Sequence, residues 1–213
     1  MSSIKILVAQ PINPKVNYKL WRKNADTIFN SLTFDNKVHG VFDDRVSGEG
    51  GPFARHARVR NQLIDNCLTD DITHVLWFDA DVVGWPEDLI EQLLAVSEVA
   101  VVAPYVFIEK NERWPFKRFY DISCFKDLYG GHFDFQPPYN KAMGDTLSPV
   151  SCVGTVFLVP AHLHREIRYD PYYESNEHVL FFDRVREKGI QVLATPDVEV
   201  DHAFLPKYGE SFH

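Results

Sequence analysis

The segment HVLWFDADVVGWPEDL, from His74 to Leu89, holds the residues whose types and spacing could do chemistry. A run of large apolar side chains ends in Asp79-Ala80-Asp81, which puts two carboxylates at the carboxyl end of a buried strand. Open α/β sheets bind their ligands at that position. In an extended chain, side chains two apart face the same way, so Asp79 and Asp81 are expected to converge on one site. Two carboxylates that close repel at neutral pH, and a divalent cation relieves the repulsion. Such a cation is hard, takes oxygen ligands and bridges to phosphate. The plainer alternative is that one or both acids cap the loop ahead of Gly84.

These acids need a sheet to hold them. Apolar runs rich in β-branched residues alternate with segments of helical period, the pattern of an α/β domain around a mostly parallel sheet. Strands are expected at Ile4 to Gln10, Lys37 to Phe42, Thr73 to Phe78, Val99 to Ala103, Ser151 to Pro160, Gln191 to Ala194 and Val198 to Val200. Helices are expected at Asn17 to Leu32, Ala54 to Leu68, from Pro86 to about Val96, Ala161 to Ile167, and Asn176 to Lys188, the last stopped by Gly189. The second helix turns Val59, Leu63 and Cys67 to the core. Arg58 and Asn61 share one of its faces, a guanidinium and an amide one turn apart. Arg58 and above all Arg60 read equally well as a solvated face paired with Asp65 or Glu49. Phe107 to Pro149 is aromatic, polar and turn-rich, without a clean period.

The chain has 213 residues, 22 Lys plus Arg against 30 Asp plus Glu, and a formal charge of −8. That balance argues against a nucleic-acid binder, which needs a basic surface. With 45% hydrophobic residues, a packed core is expected. Cys67, Cys124 and Cys152 form no CxxC pair, and an odd count in a chain of this size points to a reducing, cytoplasmic setting. MSSIKILVAQ reads as a strand rather than a leader, and the longest apolar stretch, Val99 to Ile108, is too short to span a bilayer. The chain ends eleven residues after His202, which leaves room for further domains of a longer protein.

Two superfamilies place D-x-D after an apolar strand. FDADVV resembles the first motif of haloacid-dehalogenase-like phosphatases, which would make Asp79 a nucleophile. Those enzymes carry that motif near the amino terminus and need a later Lys and a Gly-Asp pair that this chain does not plainly supply. A wider resemblance, over nearly the whole chain, is to nucleotide-sugar glycosyltransferases of the GT-A fold. It rests on the leading strand-helix-strand half, ARVRNQLID before the motif, DAD itself, CVGTVFLVP, the acidic ESNEHVLFFDR and a late His. Within that fold the pattern is similar to the amino-terminal domains of chlorella-virus glycosyltransferases that decorate the major capsid glycoprotein.

The resemblance implies a single GT-A-type domain over 1–213, with a mostly parallel central sheet flanked by helices. A Rossmann-like nucleotide-binding half would span about 1–105, and an acceptor and metal half about 106–213. It implies metal-dependent transfer of a hexose or deoxyhexose from a UDP-sugar to a glycan or glycoprotein acceptor, a viral capsid glycoprotein in the viral case, in the cytoplasm of the host. Mn²⁺ or Mg²⁺ would be held by Asp79, Asp81 and His202, with Asp79 and Ala80 also facing the donor. Lys207 would reach the diphosphate, although the glycine that usually precedes it is absent. Gln10 and Pro11 would floor the uracil and ribose, and Arg58 and Asn61 would reach the base or diphosphate. For an acceptor base the candidates are Glu177, Glu174 and Asp183, Glu177 aligning best. His178 stands where the acidic motif often has Asp, which tilts the expectation toward retention of configuration. Trp85, Trp114, Phe116 and Tyr120 are candidates to stack on sugar, and Gly154 and Thr155 mark a close approach to ligand. A sugar- or nucleotide-binding module without catalysis is the non-enzymatic alternative.

Overall fold

The computed structural model describes residues 3–12, 18–43, 51–108, 118–120, 147–172 and 176–203. In chain order these form β1 (Ile6–Ile12), α1 (Tyr18–Ser31), β2 (Lys37–Asp43), α2 (Pro52–Cys67), β3 (His74–Phe78), β4 (Val82–Gly84), α3 (Leu89–Val96) and β5 (Val101–Ile108). There follow β6 (Arg118–Phe119), β7 (Ser148–Pro149), β8 (Val156–Pro160), α4 (Ala161–Glu166), α5 (Glu177–Glu187) and β9 (Val192–His202). The strands make one sheet in the order β2-β1-β3-β8-β5-β9-β4, with β6 on β5 and β7 on β9. β1 runs parallel to β2 and β3, and β5 parallel to β9, whereas β8 and β4 run against their neighbours. The expected mostly parallel α/β architecture is therefore present.

Strand alternation divides the core between the two faces of the sheet. Leu7, Val75, Trp77 and Phe157 pack with α2, α4 and α5 through Ala57, Leu63, Leu163, Phe181 and Phe182. Ile6, Val8, Leu76 and Phe78 pack on the opposite face with Ile28 and Leu32 of α1 and Leu89, Ile90 and Leu93 of α3. β3 is buried at every position, so the acids that follow it emerge from the middle of the sheet.

Three departures from the sequence expectation have local causes. β1 continues past Gln10 through Pro11, because β3 pairs with it only as far as Ala9 and the missing N–H of Pro11 leaves no gap on that side. β5 does not stop at Ala103. It passes Pro104 to Ile108 by a register shift, with Pro104 opposite Thr195 and Tyr105 opposite Glu199. The same bulge joins the two expected final strands into β9. β4 is too short to show a period in sequence, yet it pairs Val82 with His202, and that pairing builds half of the site. Gly84, the last residue of β4, lies so close to its pairing partner that a Cβ there would meet Asp201 Oδ2 at 3.0 Å. Gly189 takes φ +75 after α5, as its expected helix-stopping place requires. Among the described residues, no helix is long and apolar enough to cross a membrane.

Candidate functional site

The D-x-D acids do not sit on an extended strand. The chain turns directly after β3, with Val82 N–H donating to Asp79 C=O at 3.2 Å. The expectation that both side chains face one way by strand alternation is therefore corrected: Asp79 reaches toward α2 and Asp81 toward β9. The turn is held from three sides. Asn24 of α1 donates to the carbonyls of Ala80 and Val82 at 2.8 and 2.7 Å. Asp79 N–H donates to Thr155 C=O at 3.1 Å, and Ala203 N–H to Asp81 C=O at 2.8 Å. Ala80 is buried with Ile12, Trp21, Ala25 and Ala203, so it anchors the turn. Thr155, the residue after Gly154, has φ +38, a costly conformation for a β-branched residue and one that holds its carbonyl toward Asp79.

Asp81 Oδ1 lies 3.1 Å from His202 Nε2. The other ring nitrogen, Nδ1, lies 2.8 Å from the Ala203 carbonyl, which can only accept, so Nδ1 carries the hydrogen. A neutral His202 then aims the bare lone pair of Nε2 at a carboxylate oxygen. Only a proton or a bound cation between them makes that arrangement favourable. Burial by itself would lower the pKa of His202, but the Asp81 carboxylate outweighs it and the net shift is upward. Asp81 moves the opposite way: burial would raise it, and the attraction and hydrogen bond of His202 bring it below the usual carboxylate value. Tyr120 stacks on His202 with ring centroids 3.7 Å apart.

This donor set of carboxylate oxygens and one imidazole, its far nitrogen fixed by a backbone carbonyl, fits Mn²⁺ or Mg²⁺. Among the described residues no three His, Cys, Asp or Glu side chains are already gathered around an ion position. The protein would contribute few ligands and leave coordination positions open to ligand oxygens.

Asp79 belongs to a second cluster. Arg60 Nη2 is 3.6 Å from Asp79 Oδ1, and Arg60 Nε is 3.6 Å from Glu177 Oε1. The guanidinium lies over the Trp77 ring, 4.8 Å from its centroid, and 5.8 Å from that of Tyr169. The expected solvated position of Arg60 is thus corrected: it is 5% exposed and at the centre of the site. The signal was in its register, since Arg60 stands three residues after Ala57 and four before Ile64, both on the buried stripe of α2. Asp65, its expected partner, is paired with Arg168 instead. Glu177 is 4% exposed and also meets His56 Nδ1 at 3.6 Å and His178 Nε2 at 3.5 Å. Burial would raise its pKa, but His178, the hydrogen bond from His56 and the charge of Arg60 bring it down to about 2. The pKa of Asp79 is raised to about 6 by burial, with Asp81 adding to the rise and Arg60, His202 and His56 opposing it.

Beneath this cluster two histidines are held neutral. Burial takes both His164 and His178 down to about 3, with nearby arginines acting in the same direction. For His164 the geometry agrees, because its Nε2 accepts from Trp77 Nε1 at 2.9 Å. A folded-state pKa below the unfolded 6.5 gives stability that is complete above pH 6.5 and lost as pH falls toward 3. Between pH 7.5 and 5.5 the wild type is expected to lose about 1.4 kcal/mol more unfolding free energy than His164→Gln. Urea titrations at the two pH values check this, and equal losses would refute it.

The remaining expected residues are distributed as follows. Gln10 is fully buried, its Oε1 2.6 Å from His39 Nε2, and Pro11 is partly exposed at the end of β1. Arg58 is partly exposed on α2. Asn61 exchanges two hydrogen bonds with the Tyr169 backbone, donating at 2.8 Å and accepting at 3.0 Å, and so braces α2 against the segment after α4. Trp85 is a packing residue: its Nε1 donates to Ser31 Oγ at 2.8 Å and its ring meets Phe78 edge-on. Asp183 pairs with Arg186 along α5, and Asn176 caps that helix by accepting from His178 N–H. Lys207, Glu174, Trp114 and Phe116 lie outside the described residues. Sequence reasoning missed Asn24, His56, Trp77 and Tyr169, whose roles come from contacts distant in sequence.

The Anp1 family model matches residues 7–129 of the chain. No curated protein matches it by sequence. Among solved structures, the catalytic domain of Drosophila β1,4-galactosyltransferase 7 in complex with xylobiose is similar at 13% identity and a TM-score of 0.55, over 97% of this chain and 73% of that one. GalNAc-T7 with UDP, GalNAc and Mn²⁺ is similar at 14% identity and a TM-score of 0.56, over 94% and 43%. A glycosyltransferase involved in glycosylation of the PBCV-1 major capsid matches 47% of this chain and 51% of that one, at 16% identity and a TM-score of 0.36, too partial a likeness to carry weight. At these identities the likeness establishes the fold, which is that of the GT-A glycosyltransferases.

Proposed function

The chain belongs to the Anp1 family, and from that premise we propose that it is a metal-dependent glycosyltransferase. It takes a hexose or deoxyhexose from a nucleoside-diphosphate sugar, UDP-linked as the first donor to test, and passes it to a glycan acceptor. The observation that carries this is the facing pair of Asp81 Oδ1 and His202 Nε2, two electron-pair donors 3.1 Å apart at the D-x-D turn of a GT-A sheet. Support comes from the structures of that fold that contain Mn²⁺ with UDP and GalNAc, or manganese with UDP-Gal and xylobiose. The same likeness favours a glycosyltransferase over a phosphatase built on Asp79.

When bound, the dication would neutralise the diphosphate and ease its departure. Asp81 and His202 would hold it, with Asp79 beside them, and Asn24 and the Thr155 carbonyl keep the turn in place. Pro11 would floor the base with Gln10 beneath it, and Arg58 and Lys207 would supply charge to the diphosphate. Transfer with retention fits the chain best. The acceptor oxygen bonds to the anomeric carbon as the bond to phosphate breaks on the same face, and the acceptor proton passes to the departing phosphate oxygen. That route needs no protein base, and Glu177 is buried in a set of three partners.

A thermal-shift screen of UDP- and GDP-sugars with and without Mn²⁺ tests the proposal. Ligand at a hundred times Kd stabilises by about 2.7 kcal/mol, which for a chain of this size is a rise of roughly 5–10 °C. The rise is expected only with metal. A metal-independent shift, no shift for any donor, or phosphate release from a monoester abolished by Asp79→Asn would each sink it. The anomeric configuration of the product, read by NMR, decides retention.

A further inference from the structure

We propose that Glu177 is the counter-ion of Arg60, and that by holding the guanidinium off Asp79 it leaves that carboxylate available to a bound cation. Glu177 is then a positioning residue rather than an acceptor base. This deepens the donor-site reading above and rests on it.

The geometry is symmetrical. Arg60 stands 3.6 Å from a carboxylate on either side, beyond hydrogen-bond length to both. Its planar group is seated over Trp77 and beside Tyr169, so it does not swing freely between the two. Tyr169 is itself clamped through its backbone by Asn61, and Trp77 through its indole N–H by His164. Among the described residues its positive charge thus faces two acids, of which Glu177 is nearly inaccessible and Asp79 is 27% exposed. Without the charge of Glu177, more of the attraction of Arg60 falls on Asp79, and a cation must compete with a buried guanidinium for that carboxylate. Removing Arg60 as well frees Asp79 again. An acceptor base behaves differently: its loss leaves cation affinity unchanged, and a second substitution at Arg60 cannot repair it.

The test is Mn²⁺ affinity of the folded chain, measured by electron paramagnetic resonance of free Mn²⁺, with thermal unfolding followed in parallel. Glu177→Gln is expected to weaken Mn²⁺ binding by about tenfold, the lower end of the effect of residues one step behind the ligands. Glu177→Asp, which keeps the charge, stays close to wild type. The double variant Arg60→Met with Glu177→Gln recovers the wild-type affinity or exceeds it. Unchanged affinity in Glu177→Gln, or a double variant no better than the single one, overturns the proposal while leaving the donor-site reading intact. Absence of Mn²⁺ binding by the wild type, with and without UDP, overturns both. Where Glu177→Gln does not fold, Arg60→Met alone decides: affinity at least equal to wild type supports the counter-ion role, and a tenfold loss refutes it.

Discussion

Asp81→Asn is expected to abolish metal-dependent nucleotide binding and to lower sugar transfer by about 10³-fold or more, since a metal ligand supplies several kcal/mol of transition-state charge stabilisation. The substitution keeps the shape of the side chain and the backbone contact of Asp81 C=O with Ala203 N–H. It removes the carboxylate that faces His202 Nε2. The fold should survive, because the side chain is partly exposed and its neighbours on the turn are held by Asn24 and Thr155. Calorimetry with UDP and Mn²⁺, beside a thermal melt without ligand, separates the outcomes. Full metal-dependent binding in the variant would show that the cation is held elsewhere, and a collapsed melt would show that Asp81 holds the fold instead.

The largest effect on stability is expected at Trp77. Its indole is completely buried on β3, seats the guanidinium of Arg60, donates to His164 Nε2 at 2.9 Å and meets the rings of Tyr169 and Phe157. Trp77→Ala removes the ring, leaves a cavity and strips Arg60 of its seat, at a cost of about 4 kcal/mol. For a chain of this length that lowers Tm by roughly 10–15 °C. Trp77→Phe keeps most of the packing and loses chiefly the N–H donor, so a cost of about 1–2 kcal/mol is expected. Denaturant unfolding of both variants checks the pair. If Trp77→Ala cost no more than Trp77→Phe, the indole would not be the support that the structure assigns to it.

Hydrophobic period made the sheet and helices legible. Five helices were located within a few residues, as was the end of β3, because strands two-sided in burial and helices with one apolar stripe leave different patterns in the chain. For the same reason DAD could be placed at the end of β3, where open α/β sheets bind their ligands. Arg60 was harder. Its charge argues for solvent, and only its phase on α2, shared with Ala57 and Ile64, argues otherwise. Asn61 is polar and one turn from Arg58, and its bonds to the backbone that arrives from Tyr169 could not be read from α2 alone.

What the sequence determined by itself, then, was the fold class and the presence of two acids at the middle of a sheet, both consequences of local periodicity. The tertiary structure alone decided what each acid faces. The turn after Phe78 sends Asp81 to His202, which β4 brings alongside through the pairing of Val82 with His202. It sends Asp79 to Arg60, which the packing of α2 on Trp77 draws in from a distant part of the chain. Contacts between residues so far apart in sequence follow from how the sheet is ordered and how its helices are laid on it, and no local pattern encodes that.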